Sequence, residues 1–352
     1  MPKRETRTVS KGLSGTAEAC VEATHSRKRK RLETAQRILE EKGGQSLREA
    51  QRLITGINTE SQQVREALTY FTSYWQDLAR PTLVVLACES VGGSPEAATP
   101  FGTASVLISG AIAIHDDVID HSRMKRSRLT VLGKYGENIA LITANALLFE
   151  GFTHLYRLVE KGLQPGKMVD ILKLLKQLFT ELGDAEALEL GFRKRVDVTP
   201  ENYLNMVWRK AGDVEAQMRV GALLGNASTR EVEALAKYGR SLGMMMILRD
   251  DLADMLEAEE MCHRVRWESL PLPVLYALSD SKAREEAESI IGRKKIGVRE
   301  ALRLLEISDE ARGLAQFGDT VRRLAEEAVE SIKHLRNKEA LVVLVETVIP
   351  SV

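Results

Sequence analysis

The sequence predicts an all-α, single-domain protein. Three observations carry this: only nine prolines occur in 352 residues, apolar stretches rich in Ala, Leu and Met recur at helical spacing, and capping signals bound them. The period-two alternation that marks half-buried strands is scarce. Hydrophobic residues make up 44% and charged residues 28% of the chain, a balance that supports a sizeable core and excludes collagen-like, mucin-like and wholly disordered chains.

From the N-terminus, residues 1–32 read as a basic, disordered arm and residues 33–352 as one helical domain. Residues 1–31 hold nine Lys/Arg against three Glu, and the remainder holds 41 against 47, so the formal charge of zero hides a basic arm on an acidic body. Bulk charge therefore does not suggest a nucleic-acid binder. The arm ends in His25-Ser26-Arg27-Lys28-Arg29-Lys30-Arg31, a solvated run suited to contacting acidic surfaces. Ser46-Leu47-Arg48-Glu49 has the pattern of a capping box, with Gly56 as the stop of the helix it would open. Gly92-Gly93-Ser94-Pro95 and Gln164-Pro165-Gly166 separate further helices. Thr199-Pro200-Glu201 opens another, with Tyr203, Val207 and Ala211 recurring on one face. No fixed-period repeat or linker divides the body.

Cys20, Cys88 and Cys262 are odd in number and lack CxxC spacing, so neither a disulfide framework nor a zinc knuckle is expected, and a cytoplasmic setting fits. The basic N-terminus has no apolar core behind it as a secretory signal would. The most apolar run, residues 101–114, is shorter than the roughly 20 residues of a membrane span, so no transmembrane segment is expected.

Two acidic clusters stand out. Ile112-Ala113-Ile114-His115-Asp116-Asp117-Val118-Ile119-Asp120 and Met244-Met245-Met246-Ile247-Leu248-Arg249-Asp250-Asp251-Leu252-Ala253-Asp254 each place three carboxylates after an apolar helical run. Positions i and i+4 of a helix share a face, about 5–6 Å apart, so Asp116 with Asp120 and Asp250 with Asp254 can each grip one cation. Crowded carboxylates beside buried apolar groups raise each other's pKa, a conflict that a divalent metal resolves. Oxygen-only ligands favour Mg²⁺ or Mn²⁺, and Mg²⁺ leaves positions for substrate phosphate.

The residues around both clusters resemble the trans-isoprenyl diphosphate (polyprenyl) synthases over residues 78–278. The resemblance is carried by Arg80-Pro81-Thr82-Leu83, by Gly133-Lys134-Tyr135-Gly136-Glu137-Asn138 after the first cluster, and by Leu272-Pro273-Val274-Leu275 after the second. It implies an all-α fold with a central cavity, both motifs on facing helices, Mg²⁺ bridging them to an allylic prenyl diphosphate, and a homodimer. Asp116, Asp117, Asp120, Asp250, Asp251 and Asp254 would then be the catalytic metal ligands. Lys125 and Arg126 fall at the family's Arg-Arg pair, Lys210 on the lysine after its central helix motif, and Arg80 on its Arg-Pro arginine. These four are the diphosphate grips that the resemblance implies.

The pattern departs from the family at the second substrate, isopentenyl diphosphate. Asp77 stands where the family has a lysine, and Ser109 where it has a histidine or glutamine. A lost charge-assisted contact to phosphate removes roughly 1.5–3 kcal/mol, and a like charge adds to the loss. Met246-Ile247 replaces Phe-Gln, and Glu268-Ser269 replaces Gly-Lys; Arg264 and Arg266 are candidate replacement cations. The allylic half looks complete and the isopentenyl half damaged. Ala111 and Ile112 stand where bulky aromatics stop short chains, which implies a C20 or longer product. Two alternatives stay open: a non-catalytic regulatory subunit of a heteromeric synthase, and a class I terpene synthase, whose third ligand at i+8 from Asp250 would fall on Ala258, one residue from Glu257.

Overall fold

Gly56 ends the first helix, as its position predicts, but that helix runs unbroken through Ser46. The computed structural model describes residues 9–125, 127–293 and 296–350, with side chains from residue 29 onward. Helix α1 spans Val9–Gly56. Of the arm expected over residues 1–32, residues 1–8 lie outside the described residues and the backbone of the rest belongs to α1. Ser46 is no cap: its hydroxyl donates to the Thr99 carbonyl at 3.2 Å, and the residue is 1% exposed. Tertiary packing overrides the local signal. A Cβ on Gly43 would lie 2.6 Å from the Leu78 carbonyl oxygen, and one on Gly102 would lie 2.7 Å from Ser46 Oγ. Small residues let three helices approach too closely for the chain to break there.

The other helices are α2 (Gln62–Thr72), α3 (Ala79–Ser90) and α4 (Pro95–Ile119), followed after a short hairpin by α5 (Val131–Tyr135), α6 (Glu137–His154), α7 (Tyr156–Glu160) and α8 (Pro165–Phe192). Then come α9 (Pro200–Lys210), α10 (Gly212–Leu224), α11 (Thr229–Leu256), α12 (Ala258–Trp267), α13 (Leu272–Ala277), α14 (Ser281–Ile291), α15 (Val298–Glu310), α16 (Gly313–Ser331) and α17 (Glu339–Val348). The hairpin is the only sheet among the described residues: β1 (Met124–Lys125) pairs antiparallel with β2 (Arg128–Leu129), Lys125 opposite Arg128. The all-α expectation holds.

Local chemistry explains the boundaries. Pro95 and Pro165 occupy first-turn positions where no amide is missed. Thr199 caps α9, accepting from the Asn202 amide at 3.2 Å, and Tyr203, Val207 and Ala211 are buried as their spacing predicts. Ser228 and Glu231 form the reciprocal box that Ser46 does not, the Ser228 amide donating to Glu231 at 2.8 Å.

The centre is built from α3, α4, α10 and α11, with α4 packed on α3 and α6, and α10 on α3 and α11. Phe101, Leu107 and Ile114 of α4 expose no surface, each burial contributing about 1.5–3 kcal/mol. The apolar run at residues 101–114 is thus part of a 25-residue helix, long and apolar enough to span a membrane, whose side chains are mostly buried in protein. The stretch Glu137–Glu160 passes the same test but is less covered: Ile142, Phe149 and Tyr156 leave an apolar stripe exposed. What this architecture positions is a pair of helix ends. Both aspartate clusters lie at the C-terminal ends of core helices, α4 and α11.

Candidate active site

Carboxylates at a helix C-terminus face the negative end of the helix dipole, an unfavourable placement that calls for cations. In α4, Asp120 is the C-terminal cap, its amide donating to the Asp116 carbonyl at 2.9 Å. In α11, Asp250, Asp251 and Asp254 occupy the last two turns. Asp116, Asp120, Asp250, Asp251 and Asp254 all line one cavity of about 480 Å³. Asp117 is turned to Lys125 of β1, whose Nζ lies 2.8 Å from its Oδ1.

The helix ends are tied by groups from three other segments. Arg193, just past α8, donates to Asp120 Oδ1 at 3.1 Å and to the Ile119 carbonyl at 3.0 Å. His263 Nε2 lies 3.0 Å from the Asp120 carbonyl and 3.2 Å from Ser122 Oγ. On α12, buried Arg264 places Nη2 2.8 Å from Asp251 Oδ1, with Asp254 at 3.6 Å and Glu268 at 3.7 Å. The Tyr203 hydroxyl donates to the other oxygen of Asp251. Lys210, at the end of α9, is gripped by Glu189 at 2.5 Å and Glu186 at 2.7 Å, both from α8. Ser269 donates to the second oxygen of Glu189 at 2.9 Å.

The cavity remains strongly acidic despite these ties. Asp116, Asp120, Glu189, Asp250, Asp251, Asp254, Glu260 and Glu268 face Lys125, Arg128, Lys210 and Arg264, a two-to-one excess of carboxylates. Burial, then the neighbouring Asp116, Glu268 and Glu189, pushes Asp120 up to about 8. Burial raises Asp254 to about 6 against the pull of Arg264. Burial works in the same direction on Glu189, but Lys210 and Arg264 outweigh it and hold the carboxyl at about 2. Among the described residues no three His, Cys, Asp or Glu groups converge tightly enough to hold an ion as they stand. The donor set nevertheless suits a hard divalent cation: oxygen ligands are in excess, and burial pushes two of them, Asp120 and Asp254, above the ordinary carboxylate range.

Two of the expected diphosphate grips, Lys125 and Lys210, line this cavity. Arg126 lies outside the described residues. Arg80 does not line this cavity: Asp213 holds its Nε at 2.6 Å and Asp77 holds its Nη1 at 3.1 Å. Ser109 completes this knot, donating to Asp77 Oδ2 at 2.7 Å. The sequence reading missed Arg193, Glu186, Glu189 and Arg128. Glu186 and Glu189 carried a signal, being acids inside the otherwise apolar Ala185-Glu186-Ala187-Leu188-Glu189-Leu190.

Residues 61–307 match the family model described as polyprenyl synthetase. The chain belongs to the polyprenyl synthetase family of prenyltransferases. It is 29% identical over 284 residues to a short chain isoprenyl diphosphate synthase of Methanothermobacter thermautotrophicus, covering 77% of this chain and 85% of the relative. Its fold matches that of a geranylgeranyl pyrophosphate synthetase from Pyrococcus horikoshii, with a TM-score of 0.81, 21% identity, and coverage of 91% and 99% of the two chains. A polyprenyl synthase from Caulobacter crescentus, complexed with calcium and isoprenyl diphosphate, matches with a TM-score of 0.76 and 21% identity over 89% and 96% of the chains. In this chain Asp77 and Asp213 together tie up Arg80, the arginine of its Arg-Pro pair.

Proposed function

We propose that this chain is a Mg²⁺-dependent prenyltransferase that ionises an allylic prenyl diphosphate, with an atypical site for isopentenyl diphosphate. One observation carries the reading: two aspartate clusters, 134 residues apart in sequence, line one cavity in which carboxylates outnumber cations two to one. Bound Mg²⁺ would be held by Asp116, Asp120, Asp250 and Asp254 and would neutralise charge building on the departing diphosphate. Arg264 and Tyr203 orient Asp251, and Arg193 and His263 fix the end of α4, so the acids are held in place before ligand arrives. Trp75, Met206 and Ile247 supply the apolar wall that keeps water from an allylic cation.

The acceptor side follows from Arg80. With its guanidinium between Asp77 and Asp213, the expected grip for a second diphosphate is already neutralised and one negative charge is left over. This favours weak use of isopentenyl diphosphate. The test is an assay of purified protein with C5 to C20 allylic diphosphates and Mg²⁺, with and without isopentenyl diphosphate. Mg²⁺-dependent elongation supports the reading, and the small Ala111 and Ile112 favour a product of C20 or longer. Hydrocarbon or alcohol products without isopentenyl diphosphate support the cyclase alternative. Activity that requires a second synthase chain supports a regulatory subunit. Neither binding nor turnover of any allylic diphosphate would end the enzyme reading.

The same proposal includes a homodimer and a cytoplasmic location. The dimer is supported by the apolar stripe on α6 and α7, where Phe149 is 69% exposed, a face that solvent does not stabilise. Light scattering should give a dimer for the wild type and a monomer for Phe149→Glu. The location rests on the unpaired Cys88 and Cys262.

A further inference from the structure

Three of the four cations that line the cavity are committed to carboxylates: Lys125 to Asp117, Lys210 to Glu186 and Glu189, and Arg264 to Asp251. Among the described residues Arg128 alone of these has no carboxylate partner, and its buried Nη1 has no hydrogen-bond partner among them. Its guanidinium lies 3.3 Å over the Tyr74 ring, a stacking that holds the planar fork flat and strips water from one side. The backbone adds a second oddity. Arg128 is the cross-strand neighbour of Lys125, and like charges directly opposite on a hairpin destabilise it. A two-residue hairpin gains nothing in folding from this pairing, and a buried donor without an acceptor needs a reason to persist.

We propose that Arg128 is a substrate-binding residue, the one guanidinium among the described residues of the cavity that a diphosphate can engage without first displacing a carboxylate. The ligand class is a diphosphate, prenylated or inorganic. The inference rests on the proposed function for its ligand, but not on any assigned grip. Together with Lys125 it makes the hairpin a two-cation clasp, in which Lys125 must exchange Asp117 for phosphate and Arg128 need exchange nothing.

The test is calorimetric titration in Mg²⁺ with inorganic diphosphate and, separately, with a non-hydrolysable prenyl thiodiphosphate. Wild type is compared with Arg128→Gln and Arg128→Met, the latter keeping an apolar stem on Tyr74, each below its own melting temperature. Both variants should bind both ligands about tenfold to a hundredfold more weakly, with Mg²⁺ binding in the absence of diphosphate unchanged and the loss appearing in KM more than in kcat. Weakening of the prenylated ligand alone would assign the site to substrate; weakening of both assigns it to the diphosphate group itself. Wild-type affinity for both ligands in either variant overturns the proposal. If the wild type binds neither ligand in Mg²⁺, the proposed function fails and takes this inference with it.

Discussion

Arg264 Nη2 lies 2.8 Å from Asp251 Oδ1, so the second aspartate cluster carries a cation of its own from the next helix. Arg264 is 4% exposed, and a charge so buried is tolerated only when paired and hydrogen-bonded. Asp251 supplies the pairing, with Tyr203 sharing the same carboxylate. The end of α11 and the body of α12 are locked together by this contact rather than by apolar packing alone.

Removing the cation should therefore be costly. Arg264→Gln leaves Asp251 and Glu268 buried without it and should lower stability by about 3–5 kcal/mol, measured as a shift in the urea midpoint at constant slope. Added Mg²⁺ should stabilise this variant more than the wild type. A midpoint unchanged by the substitution would show that the pair contributes nothing net.

Asp116 behaves differently. Its side chain has no hydrogen-bond or ion-pair partner among the described residues although it lines the cavity, so Asp116→Ala should change stability by no more than about 0.5 kcal/mol. Mg²⁺-dependent release of diphosphate should fall by about a hundredfold to a thousandfold. Activity within a few-fold of wild type would remove Asp116 from the metal-binding set.

How much of this was legible beforehand differs residue by residue. The six aspartates could be read because their ligand spacing is local, and five of them do line one cavity. Thr199 could be read as a cap for the same reason. Ser46-x-x-Glu49 and Ser228-x-x-Glu231 carry the same pattern, yet only the second caps a helix; what separates them is the close contact of Gly43 and Gly102 with neighbouring helices, which no local window contains. Glu189 and Arg128 reach the cavity, and Arg193 reaches its Asp120, from three separate segments, and Arg80 is held by Asp213, 133 residues distant in sequence. Long-range pairing decides which cations are free, and spacing alone does not report it.

Glu189 sets an acid limit. Its folded carboxyl is held at about 2, below the ordinary value of 4.5, so the native state binds fewer protons than the unfolded chain between those values. The stabilisation is present above pH 4.5 and is lost as pH falls toward 2, amounting to roughly 3 kcal/mol for a shift of this size. The stability difference between wild type and Glu189→Gln should shrink over that window and stay constant from pH 5 to 7. A difference that does not vary with pH would mean that Lys210 is held by Glu186 alone.

Asp77→Asn keeps the shape of the knot and removes one negative charge. Arg80 then answers only to Asp213, and KM for isopentenyl diphosphate should fall several-fold while kcat changes little. Stability should drop by about 1–2 kcal/mol, since the Ser109 and Arg80 hydrogen bonds lose their charge assistance. Steady-state kinetics with the allylic substrate saturating will show this. An unchanged KM would mean that the second substrate, if used, binds away from Arg80.

The surplus of carboxylates around the cavity also governs approach. A cleft of one sign focuses its field outward, so a bare diphosphate is turned back at the mouth while one travelling with its counter-ion meets little resistance. Association of the bare anion should consequently speed up as ionic strength rises, because screening weakens repulsion beyond about 10 Å at 0.1 M salt. The entrance itself thus selects which form of the ligand is admitted.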